Sequence, residues 1–135
     1  MTAPLAARLR APALVGLAGA ALGTALVLRD PHASGSWGFC PFLLVTGVPC
    51  PACGGLRATN DLLHGRFTDA AGSNLYAVLT ALVAAVAFVW WAGSTARGRD
   101  WAGRRHLPRA LNLWFVGLLA FGALRLVPGL SGLRP

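Results

Sequence analysis

The stretch LYAVLTALVAAVAFVWWA, Leu75–Ala92, contains no charged residue. Coiled as a helix it covers about 27 Å, close to the roughly 30 Å hydrocarbon thickness of a bilayer. Tyr76 lies near one end and Trp90-Trp91 near the other. Aromatic rings at both ends suit the two lipid–water interfaces. We read this block as a membrane span. Thr68-Asp69 suits the start of its helix, because Thr caps well and Asp favours the first-turn dipole.

Two further blocks read the same way. Ala11–Leu28 is uncharged, with Arg8 and Arg10 before it and Arg29 and Asp30 after it. Gly19 and Gly23 form a small-x-x-x-small pair there, with Gly16 and Ala20 on the adjacent row; small residues let helices approach in lipid. We read it as a retained helix. The rival reading is a secretory signal cleaved after a basic start. The third block, 110–127, follows Pro108 and is stopped by Pro128-Gly129. Arg125 interrupts it in the last turn, from where it is expected to snorkel to the interface.

Composition agrees. The chain has 135 residues, 56% of them apolar and only 12% charged. Soluble domains carry about 25% charge. The fold class expected is all-α: an integral membrane protein with three transmembrane helices, over 11–28, 75–92 and 110–127, in one membrane domain.

The net charge is +8, with every basic residue Arg and every acidic one Asp. Because the arginines flank apolar blocks, the charge reads as membrane topology and no nucleic-acid partner is expected. Arg97, Arg99, Arg104, Arg105 and Arg109 lie between the second and third blocks against Asp100 alone. Between the first and second blocks Arg29, Arg57 and Arg66 are balanced by Asp30, Asp61 and Asp69. The N-terminus and the arginine segment are therefore expected on the cytoplasmic side of the cell (inner) membrane, and the first loop outside. The lipid bilayer is the expected partner, with another membrane protein as a further one. Arginines 97–109 are placed to touch anionic headgroups.

All three cysteines lie in the first loop, 29–67. Cys40-Pro41 comes first, then Cys50-Pro51-Ala52-Cys53-Gly54-Gly55. A short interfacial helix follows and stops at Gly65. It is amphipathic: Arg57, Asn60, Asp61 and His64 share one arc, expected to face water, and its leucines share the other. Arg57 and Asp61 are spaced to pair. A helix start beside Cys53 and the charge of Arg57 favour a thiolate there.

Three chemistries fit these residues. Outside the cytoplasm two cysteines can close a structural disulfide. Cys40, Cys50 and Cys53 with His64 or His32 can hold zinc, although no motif demands a cofactor. Cys50 and Cys53 can exchange disulfides, one attacking and the other resolving, with Cys40 as a further partner and Arg57 in support. No strand–helix alternation surrounds the pair, which argues against a thioredoxin-like domain.

The run Cys40-Pro41, Thr46-Gly47-Val48-Pro49-Cys50-Pro51-Ala52-Cys53-Gly54-Gly55, then Arg57, Gly65 and Asn74, resembles the bacterial membrane family designated domain of unknown function 2752. Many members have Thr before the Arg and Asn-Pro in the next span, where this chain has Leu56 and Asn74-Leu75. Losing that proline removes a helix-start and kink signal. The resemblance implies a helical membrane protein of undetermined activity, with the cysteines, Arg57 and Asn74 in the family pattern. The functional expectation is a small multi-pass membrane protein of unknown activity with an outward three-cysteine loop. The alternatives are a membrane thiol–disulfide oxidoreductase and a non-catalytic assembly partner.

Overall fold

Among residues 4–127, which the computed structural model describes, the structure is helical, with no strand. Helix α1 is Leu5–Leu28, α2 Pro41–Thr46, α3 Gly55–Leu63 and α4 Phe67–Ala96. A 3-10 turn, Ala102–His106, leads into α5, Leu107–Leu124. The Pro128-Gly129 stop lies outside the described residues, as does the C-terminus.

Three helical stretches are long and apolar enough to cross a membrane: Leu5–Leu28, Phe67–Ala96 and Ala102–Leu124. No more than 11% of the apolar window of any of them is buried. Their leucines, valines and aromatics point outward, which in water would leave far more exposed apolar surface than a soluble monomer tolerates. Lipid tails fit that surface. The buried set includes Asn60, Asp61, Asn74, Ser94 and Arg125. In lipid the polar groups turn inward, because hydrocarbon offers them no hydrogen bond.

The contacts between helices follow small residues and aromatics. A Cβ at Gly16 would touch Phe88 at 3.4 Å, and one at Gly23 would touch Leu63 at 3.6 Å, whereas Gly19 meets nothing. The row at 16 and 23 makes the contacts, not the pair at 19 and 23. Helix α5 meets α4 through Tyr76, whose ring stacks on Phe121 at 5.5 Å and whose hydroxyl donates to the Trp114 carbonyl. Tyr76 thus packs helix on helix. The Trp114 indole donates to Thr80 Oγ1 at 3.0 Å.

Helix α4 begins at Phe67, one residue ahead of the Thr68 start, with Asp69 in its first turn. It breaks at Asn74, whose φ is −165° and ψ 95°. The kink that the family's Asn-Pro would supply is therefore present without the proline. Asn74 Oδ1 accepts from the Ala77 N–H at 2.9 Å, the bond an N-cap makes to the third helical residue. The apolar part of α4 starts afresh at Leu75.

Candidate functional site

The site lies where the loop folds back between α1 and α4. Helix α2 starts at Cys40 with Pro41 in its first turn and ends at Gly47, in the left-handed region at φ 68°. That turn reverses the chain and returns Cys50 to Cys40. A second turn follows, with the Cys53 N–H on the Cys50 carbonyl at 3.0 Å. Gly54, at φ 84°, opens α3. Both glycines sit where a side chain would strain the backbone.

These two turns bring the cysteines together. The three Sγ atoms all lie within 4.8 Å of one another, and Cys50 and Cys53 are 3.0 Å apart. All three are half-buried thiols. They line one side of a cavity of about 700 Å³, with Trp37, Phe39 and Arg57 among its other walls.

The Cys50–Cys53 turn is held from outside by two side chains. Asn74 Nδ2 donates to the Pro51 carbonyl at 3.2 Å and the Cys53 carbonyl at 3.1 Å. Arg125 donates to the same Cys53 carbonyl at 2.8 Å and to the Ser73 carbonyl at 3.2 Å. In an unbroken helix the Ala77 N–H would reach the Ser73 carbonyl. Asn74 takes that N–H, and Arg125 covers the carbonyl left over. The approach of α5 is close: a Cβ at Gly122 would lie 2.9 Å from Pro51. Arg125 is 0% exposed and stacks over Phe121 at 4.6 Å. It turns inward to the cysteine turn and does not snorkel.

Asn74→Ala removes the cap and the amide that donates to the two half-buried carbonyls. We expect a loss of about 2–4 kcal/mol, read from unfolding of the detergent-solubilised protein in SDS. Asn74→Asp keeps the cap oxygen and is expected to lose less.

The polar arc of helix α3 is split: Asn60 and Asp61 turn inward, while Arg57 and His64 stay exposed. Asn60 and Asp61 are 2% and 1% exposed, while Leu56 and Leu63 stay about half exposed. Asn60 Nδ2 donates to the Leu26 carbonyl at 2.8 Å, closing the end of α1. Asp61 does not pair with Arg57. It accepts from Arg66 at 2.6 Å and from Ser73 Oγ at 3.3 Å, with His32 Nε2 at 3.4 Å. Arg57 instead donates to the Pro31 carbonyl at 3.4 Å.

The thiols are not alike. The Leu43 N–H at the start of α2 is the chief influence on Cys40 and, with the neighbouring thiols, brings its pKa down to about 7 despite the cost of burial. Burial, followed by hydrogen bonding to Cys50 and Cys40, pushes Cys53 up to about 12. The thiolate expected at Cys53 is thus favoured at Cys40. Helix α3 starts only after Gly54, and Arg57 is turned to Pro31.

Neither histidine joins the cysteines. His64 caps the far end of α3, with Nδ1 2.8 Å from the Asn60 carbonyl. His32 sits between Asp30, at 2.9 Å, and Asp61. Among the described residues the group able to hold a metal is the three sulfurs alone. Thiolates are soft donors suited to zinc or copper(I), and such a set leaves one position open.

Three spans, with a three-cysteine site built in the loop between the first two, define a small polytopic helical membrane protein. Residues 40–88 match the model of the family described as protein of unknown function (DUF2752), which bears out the resemblance read from the cysteine motif over that stretch. The match takes in all three cysteines, α2, α3 and α4 as far as Phe88. No curated protein and no solved structure matches the chain.

Proposed function

We propose that this protein exchanges thiols and disulfides with a client at the extracytoplasmic face of the cell membrane. The supporting observation is the convergence of three unpaired sulfurs within 4.8 Å at the wall of one cavity. Cys40 attacks, in place of the Cys50 or Cys53 attack that spacing alone suggests. Its thiolate displaces one sulfur of the client disulfide, forming a Cys40–client mixed disulfide and a client thiol. Cys50 then attacks Cys40 Sγ, giving up its proton and releasing the second client thiol. The site ends with a Cys40–Cys50 disulfide, which Cys53, next to Cys50, can take over. Two electrons pass from site to client, and the reverse sequence oxidises a client dithiol.

With oxidised glutathione as the client probe, the Cys50→Ser/Cys53→Ser variant is expected to stop as a stable glutathione adduct at Cys40. The unaltered protein is expected to resolve that adduct into a disulfide within the loop. A Cys40→Ser variant that exchanges at the full rate would overturn the reading.

A second reading shares the same observation. Three sulfurs this close suit a soft cation such as zinc, with a water or client group in the fourth position. Zinc bound in proportion to protein, and lost on chelation together with all protection of the thiols from alkylation, would favour it over exchange.

A further inference from the structure

The opposite end of the helices holds a second cavity, of about 980 Å³. Arg8 of α1 lines it, together with Arg99, Arg104, Arg105 and Trp101 of the segment between α4 and α5. Asp100 is the one acidic residue in its wall. The Arg8 side chain reaches across to this segment, since a Cβ at Gly98 would lie 2.6 Å from its guanidinium. Arginines distant in sequence thus share one concavity, where scattered interfacial anchors would stand apart. The Trp101 indole N–H is shielded from solvent and meets no acceptor among the described residues. Thr95 in the last turns of α4 and Pro108 at the start of α5 also border the cavity. It therefore sits where the apolar spans end.

We propose that this cavity binds an anionic phosphate group. Planar guanidinium forks match phosphate oxygens in pairs. Phosphate esterified to a diacylglycerol, as in the headgroup of an anionic lipid, suits a cavity at the end of the apolar spans. Free inorganic phosphate offers the same chemistry from the aqueous side. The proposal does not depend on the activity assigned to the cysteines.

The test uses the full-length protein in detergent, with lipid retention read by native mass spectrometry. Phosphatidylglycerol is expected to be retained in preference to phosphatidylcholine. The Arg8→Gln/Arg105→Gln variant is expected to lose that preference roughly tenfold or more. The Arg10→Gln/Arg109→Gln variant removes the same charge outside the cavity wall and is expected to keep it. Thermal unfolding with millimolar inorganic phosphate separates the sources. Protection by phosphate that Arg8→Gln/Arg105→Gln abolishes assigns the site to free phosphate; protection by phosphatidylglycerol alone assigns it to lipid. Equal retention of both lipids with no effect of phosphate overturns the proposal. So does an equal loss in the two double variants, which would show a diffuse basic surface.

Discussion

At pH 7 the reduced protein is expected to be alkylated at Cys40 at least about a hundredfold faster than at Cys53. With values of about 7 and about 12, roughly half of Cys40 is thiolate at that pH, against roughly one Cys53 in 10⁵. The less acidic thiolate is intrinsically the better nucleophile, and over such a gap this returns a factor of roughly 10². The thiolate population therefore decides the outcome. The pH profile follows with a definite sign. Cys40 reactivity rises as pH approaches 7 and levels off above it, because its pKa is lowered. Cys53 reactivity keeps rising into the alkaline range, because its pKa is raised. Timed maleimide quenching with peptide mass spectrometry reads both. Equal rates, or a Cys40 plateau only near pH 9, would show that the Leu43 N–H does not act on the sulfur.

Arg125→Leu is expected to destabilise the protein by about 3–5 kcal/mol, the largest effect of any single substitution away from the cysteines. The substitution leaves the half-buried carbonyls of Cys53 and Ser73 short of a charged donor. Arg125→Lys should recover only part of the loss, since a compact ammonium lacks the two separate nitrogens with which the guanidinium reaches the Cys53 and Ser73 carbonyls. Unfolding by SDS in mixed micelles measures both variants. A change below about 1 kcal/mol for Arg125→Leu would place the side chain at the interface, where snorkelling would put it.

The spans were legible because eighteen-residue apolar runs have few alternatives. The site was legible only in its parts. The spacing of Cys40 from Cys50 is silent on distance until α2 and the left-handed Gly47 double the chain back. The amphipathic pattern of α3 told half of the story: Arg57 and His64 are exposed as a water-facing arc requires, while Asn60 and Asp61 are buried. A helical wheel does not say which side faces the interior when lipid surrounds the bundle, and here Asn60 and Asp61 face in. Arg125 posed the same ambiguity, because a cation one turn from a helix end can reach headgroups or buried carbonyls equally well. A lone charge in an apolar run was the available signal. Asn74 stood out only through the family resemblance; its role as a cap that breaks the helix without proline needed the backbone.

Equilibrating the membrane-embedded protein across glutathione redox buffers tests the central claim most directly, with alkylation quenching and mass analysis of the loop. One two-electron step is predicted, joining two of the three cysteines and leaving the third as a free thiol. Three free thiols at every potential, or glutathione held separately on each sulfur, would contradict it.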